Sequence, residues 1–145
     1  MRISIGADHA GVALKDEVGR LLEADGHEVT DHGTHDTASV DYPDIAGDVA
    51  EKVAGGESEL GILVCGTGLG VAIAANKVSG IRAVTCGDIF SAEMARSHNN
   101  ANVLTLGARV IGGGVAEAVV RTFLATAFEG GRHARRVDKI HQLEA

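Results

Sequence analysis

Tryptophan is absent from the 145 residues, and aromatic side chains make up only 3% of them. A core without large rings must be filled by Ala, Val, Ile and Leu, so its helices and strands have to approach closely. Proline occurs once, at Pro43, which excludes polyproline segments and Pro-rich linkers. The two cysteines, Cys65 and Cys86, form no CxxC pair. That excludes a disulfide framework and a structural zinc knuckle, and it suits a reducing compartment, with the cytoplasm as the expected location. Positive charge is scarce: 13 Lys and Arg against 20 Asp and Glu leave a net charge of −7. Nonspecific binding to nucleic acid is therefore not expected. No apolar run is long enough to span a membrane, and the stretch from Met1 to Gly6 reads as a strand rather than a signal peptide.

What the chain has in quantity is glycine, 20 residues, and small or branched apolar side chains, which bring the hydrophobic share to 45%. These alternate in a regular way. Strands are expected at Arg2–Ala7, His27–Thr30, Gly61–Val64, Ile81–Thr85 and Val103–Leu106. Helices are expected from Val12 to Ala24, from Tyr42–Pro43 to Gly55–Gly56, from Leu69 to Ala75, from Ser91 to Ser97, from Val115 to Phe128 and from Arg132 to Glu144. Pro43 falls in a first helical turn, where its missing N–H costs little. No linker, repeat or low-complexity segment interrupts the pattern, so residues 1–145 read as one α/β domain. The expected architecture is a Rossmann-like five-stranded parallel sheet with helices on both faces and an extra C-terminal helix. In such sheets ligands sit beyond the carboxyl ends of the strands.

At one such end, Cys65, Gly66, Thr67, Gly68 and Gly70 lie between a buried apolar strand and a helix that starts at Leu69. Three glycines in five positions allow a tight turn that points successive N–H groups at one spot. A helix N-terminus adds further unpaired donors. The turn suits an oxyanion and carries a thiol and a hydroxyl. It is not a dinucleotide fingerprint, because the third glycine is replaced by Val71, and not a P-loop, because Lys77 is preceded by Asn76 and followed by Val78.

Other residues admit two readings each. Asp8 and His9 follow the first strand, as ligand-facing groups or as a cap of the next helix. His98 and Asn99 end a helix, as a general acid–base site or as a C-terminal cap in which Asn100 takes left-handed geometry. Arg132 and Arg136, four apart, share a helix face that could clamp a phosphate or simply meet solvent. Arg109, after the last strand, is a third such cation. Tyr42 caps the core or reaches a ligand. Asp31, His32, His35 and Asp36 match no metal-ligand spacing and read as a solvated loop, and Cys86 reads as a packed side chain. A nucleotide-binding module is the competing interpretation, with Asp88, about twenty residues past Gly68, as a ribose-binding acid.

Several segments together resemble the ribose-5-phosphate isomerase B family, which includes the galactose-6-phosphate isomerase subunits. They are Gly6–Gly11, Asp41–Asp44, Cys65–Gly70 with Ala74–Lys77, Gly80–Ala83, His98–Asn99 with Asn102–Leu104, Gly107–Val110, and Glu129–His133 with Arg136–Val137. The resemblance runs in order over almost the whole chain. It implies an isomerase that needs no cofactor or metal and acts on a phosphorylated sugar, ribose 5-phosphate or a four- or six-carbon relative. It implies Cys65 as the base, and Thr67 with the amides of Gly66, Gly68, Leu69 and Gly70 as the enediolate cradle. His98, with Asp8, would open the sugar ring. His9, Arg132 and Arg136 would hold the phosphate, with Tyr42, Asn99 and Arg109 completing the pocket. One branch of the family replaces the cysteine by an acid just after the glycine loop; Val71 stands there, which matches the cysteine branch. The resemblance also implies a homodimer or tetramer, with the His98–Arg109 region of one subunit meeting Cys65 of another.

Overall fold

The computed structural model describes residues 1–144. Five strands, β1 (Arg2–Ala7), β2 (Glu28–Asp31), β3 (Leu60–Cys65), β4 (Ala83–Thr85) and β5 (Val103–Gly107), form one sheet. All pair in parallel, in the order β2-β1-β3-β5-β4. The connecting helices are α1 (Val12–Ala24), α2 (Tyr42–Ala54), α3 (Leu69–Ala75), α4 (Ile89–Ser97) and α5 (Gly113–Ala125), and α6 (Arg132–His141) closes the chain.

β3 is central and buried at every position, as an uninterrupted apolar run in a doubly covered parallel sheet must be. Its side chains alternate between two cores. Leu60, Ile62 and Val64 join Leu14, Val18, Leu104, Val119 and Phe123 under α1, α4 and α5. Leu63 and Cys65 face the other way, against Ile45, Val49, Val71 and Ala75 of α2 and α3. The order of the sheet makes two departures from a simple march. The chain steps outward from β1 to β2 and then returns past β1 to β3, so β1 and β3 diverge at a topological switch point. Later β5 inserts between β3 and β4, setting Gly107 beside Cys65.

Boundaries differ from the sequence pattern where polar groups intervene. α4 starts at Ile89 rather than Ser91, because both carboxylate oxygens of Asp88 accept from Ser91. Asp88 is thus an N-cap and not a free ribose acceptor, which removes the main support for a nucleotide module. α5 begins at Gly113 and ends at Ala125, where Thr126 turns extended. α6 stops at His141, and Glu144 instead receives Ser79 Oγ and the Gly80 amide, which pull its carboxyl down to about 2.

The loop from Asp31 is not simply solvated. Lys15 of α1 is 1% exposed, and its Nζ donates to both Asp31 oxygens at 2.9 Å and to the Thr34 carbonyl at 2.7 Å. His32 bonds Ser4 Oγ at 3.0 Å, while His35 stays largely exposed. Lys15→Met keeps the buried stem and removes the charge, leaving the Thr34 carbonyl unpartnered and Asp31 with the Gly33 amide in place of its cation. We expect a loss of about 2 kcal/mol, read as a lower urea midpoint with unchanged slope.

Candidate active site

The first cluster lies at the carboxyl edge of the sheet, at the switch point. The Asp8 amide donates to the Val64 carbonyl at 3.1 Å, carrying the end of β1 across to β3. Asp8 Oδ1 accepts from the Ala10 amide, forming a short Asx turn, and Gly11 rather than Asp8 is the N-cap of α1. Gly11 is required here, since a Cβ would fall 2.7 Å from the Val64 carbonyl oxygen. His9 Nδ1 accepts from the Val40 amide at 3.3 Å, which fixes the ring and leaves Nε2 as its donor.

Beyond β3 the backbone reverses through Gly68 at φ +81°, a left-handed conformation that favours glycine. The turn folds the Gly68 amide back onto Cys65 Sγ at 3.1 Å. Thr67 Oγ1 accepts from the Leu69 amide at 3.2 Å. The Gly68 carbonyl points inward and receives the hydroxyls of Thr105 at 2.7 Å and Thr85 at 3.1 Å. These two threonines, Thr105 buried and Thr85 exposed, clamp the loop from β5 and β4, and sequence reasoning passed over them. The available signal is a hydroxyl in the otherwise apolar strand Val103–Leu106. We expect Thr105→Val, nearly isosteric, to slow alkylation of Cys65 by iodoacetamide several-fold by loosening the Gly68 amide, and Thr105→Ser to restore it.

Arg109 joins this same loop. Its amide donates to the Gly66 carbonyl at 3.0 Å, and its Nη1 lies 3.5 Å from where a Gly66 Cβ would be. The expectation that Arg109 belongs with His98 is therefore corrected: β5 runs beside β3, so the turn after β5 is tied to the thiol loop of its own chain. Tyr42, at the start of α2, packs on Gly70 so closely that a Cβ there would sit 2.6 Å from its Cε1. Cys65 is 6% exposed. The other thiol, Cys86, lies in the core, where burial pushes it up to about 11.

The second cluster lies at the opposite edge. α4 runs back from the end of β4, so its C-cap His98 and Asn99 come just before β5 begins. Cys65 is paired instead with Gly107 at the far end of β5, about 13 Å along the strand from Val103. The chain turns at Asn100, φ +46°, held by the Arg96 guanidinium on the Asn100 side chain and the Ala101 carbonyl. The Glu129 amide donates to the Ser97 carbonyl, which delivers the start of α6 to the same place. His133 of α6 stacks on His98 with ring centroids 4.1 Å apart and planes at 11°. Arg132 and Arg136 stand exposed beside them on α6. Asn99 lines a cleft of about 660 Å³ with Arg82, Ile140 and Glu144.

Ligand atoms of His98, Glu129 and His133 come within 4.8 Å of one another. Stacked imidazoles, however, point their lone pairs in parallel planes, so neither ring as placed aims at a common ion. The cluster therefore reads as a stacked pair with an acidic neighbour. The predicted site residues thus form two groups. Asp8, His9, Tyr42, Cys65–Gly70 and Arg109 share one edge, and His98, Asn99, Arg132 and Arg136 share the other.

Set against known proteins, residues 3–140 match the family model described as Ribose/Galactose Isomerase. The chain belongs to that family. The chain is 48% identical over 143 residues to ribose-5-phosphate isomerase B of Escherichia coli (strain K12), covering 99% of this chain and 96% of the relative. It is 45% identical over 145 residues to D-erythrulose-4-phosphate isomerase of Pectobacterium atrosepticum, covering 99% and 95%. The solved ribose-5-phosphate isomerase B of Clostridium thermocellum superposes with a TM-score of 0.99 at 53% identity, covering 99% of this chain and 97% of that one. Among the described residues of this isomerase-family chain, no helix is long and apolar enough to cross a membrane.

Proposed function

We propose that the protein interconverts ribose 5-phosphate and ribulose 5-phosphate through an enediolate, with the Cys65 thiolate as the base. The observation that carries this reading is the Gly68 amide folded onto Cys65 Sγ in a glycine loop at the switch point. Isomerisation removes a proton from the carbon next to a carbonyl and returns it to the neighbouring carbon. Cys65 Sγ, with the Gly68 amide folded onto it and the Arg109 guanidinium beside the loop, is placed to accept that proton. α3 is only seven residues long, so its contribution is its free N–H groups more than a macrodipole. Those amides and Thr67 Oγ1 face the oxygen on which charge develops, each contributing a few kcal/mol in a water-poor site. The same sulfur then delivers the proton to the adjacent carbon, while a proton moves between the two oxygens, so no external oxidant or reductant enters.

Ribose 5-phosphate is cyclic in solution and must open first. His98, with Asp8, is assigned that step, as proton donor to the ring oxygen and acceptor from the anomeric hydroxyl. His9, Arg132 and Arg136 hold the phosphate, with Tyr42, Asn99 and Arg109 completing the pocket. Fixed at that end, the substrate places its reacting carbons against Cys65. On a chain of net charge −7, a dianion needs such local cations to bind at all.

Because the two groups lie at opposite edges of one sheet, a complete site needs a second copy of the chain. Exposed apolar side chains around the Cys65 loop support such packing: Leu69 and Ile73 on α3, Ile89 and Phe90 on α4, and Val110 after β5 are 56–69% exposed. We propose a homodimer, or a tetramer, with each site shared between subunits.

The test is direct: purified protein is assayed with ribose 5-phosphate, erythrose 4-phosphate and the six-carbon aldose phosphates in parallel. The pentose phosphate is expected to give the highest kcat/KM. Turnover confined to a four- or six-carbon sugar would reassign the substrate while keeping the chemistry.

A further inference from the structure

We infer that His133 is a positioning residue for His98: its stacked ring holds in place the imidazole that opens the sugar ring. The inference rests on the assignment of ring opening to His98.

Among the described residues the His98 ring nitrogens make no hydrogen bond, and the ring is held face-on by His133. His98 sits at a helix C-cap, two residues before the left-handed Asn100. A half-exposed ring on such a turn would otherwise sample several rotamers. His133 does not share that freedom. It is 6% exposed, its amide donates to the Gly130 carbonyl at 3.0 Å, and its Nε2 lies 3.4 Å from Glu129 Oε2. Glu129 is in turn bonded through its amide to Ser97, the residue before His98. Ser97, Glu129, His133 and His98 thus close a ring of contacts that braces one imidazole with another.

Face-on contact leaves the whole edge of His98, with both nitrogens, free for substrate, which an edge-on hydrogen bond would not. The groups facing His133 are His98, Glu129, Arg132 and Arg136. Burial, then the cations around it, push its pKa below the usual imidazole range, so it stacks as a neutral ring. An acid–base group must be held to within a fraction of an ångström to transfer protons efficiently.

The experiment separates ring opening from proton transfer. Ribose 5-phosphate is a closed furanose, whereas ribulose 5-phosphate cannot close one because its O5 is esterified. Exchange of the C1 hydrogen of ribulose 5-phosphate with D2O therefore reads the Cys65 step alone. His133→Ala is expected to lower kcat for ribose 5-phosphate by about tenfold or more while leaving the exchange rate within about twofold. His133→Phe, which keeps a flat ring but no nitrogen, is expected to retain most of both. His98→Ala, run alongside, is expected to show the same split with a larger loss. Equal loss of both rates in His133→Ala, loss of neither, or His133→Phe behaving like His133→Ala would overturn the inference while a split in His98→Ala leaves the parent assignment standing. An unsplit His98→Ala overturns the ring-opening assignment itself, and this inference with it.

Discussion

Cys65→Ala is expected to lower kcat for ribose 5-phosphate by about 10³-fold, the range that loss of a positioned base produces, with KM changed by no more than about threefold. KM should hold because the groups assigned to the phosphate, His9, Arg132 and Arg136, lie on other elements and are untouched. A fall in kcat and kcat/KM together, with KM constant, marks an interaction made only in the transition state. Cys65→Ser should be nearly as inactive, since a serine hydroxyl does not ionise at neutral pH and so offers no anion to take the proton. Folding is not at risk, because the removed sulfur leaves a small gap against α2 and α3, worth about 1 kcal/mol. Steady-state kinetics with circular dichroism on the same samples checks both statements. Cys86→Ala provides the contrast. That thiol is raised to about 11 by burial and then by the charge of Asp88, so it stays protonated at neutral pH and its loss should leave turnover unchanged. Residual activity of Cys65→Ala within tenfold of the parent would sink the assignment.

Mixing two dead variants should revive activity. Cys65→Ala and His98→Ala each destroy every site in a homodimer, but they damage opposite edges of the sheet. In a mixed dimer one of the two shared sites carries an intact Cys65 from one chain and an intact His98 from the other, while its twin carries both lesions. Random reassociation makes half the dimers mixed, so roughly one quarter of parental activity is expected after unfolding and refolding the pair together. The control is a mixture of Cys65→Ala with Thr67→Ala, both at the same edge, where every site keeps at least one lesion in the loop and no recovery is expected. Failure of the first mixture to recover, or activity in a species that elutes as a monomer, would show that each chain works alone.

The distance between these two edges also explains which parts of the protein were legible in the chain. Elements were readable because their signals are local. An unbroken apolar run marks β3, helical spacing of Leu14, Val18, Leu21 and Leu22 marks α1, and the cluster Gly66, Gly68 and Gly70 marks the turn after β3. The thiol loop and the paired arginines of α6 were equally visible, as residue types set close together. Groups whose meaning depends on a distant partner were not. Lys15 looks like any surface lysine of an amphipathic helix until Asp31, in a loop that read as solvated, closes on it. Thr85 and Thr105 become a clamp only because β5 inserts next to β3. His133 gains its role from a ring that lies far from it in sequence and in contact in space.

By itself, then, the order of residues determined the alternating strands and helices, the oxyanion-shaped turn after β3 and the kinship with sugar-phosphate isomerases, since each is written in neighbouring positions. Only the folded chain decided that Arg109 stands with Cys65, that Asp88 is a helix cap, and that His98 and Cys65 face away from each other. The physical reason is strand order. Periodicity records which side of an element is buried, but not which strand lies beside which, and the edge to which each loop returns follows from that order alone.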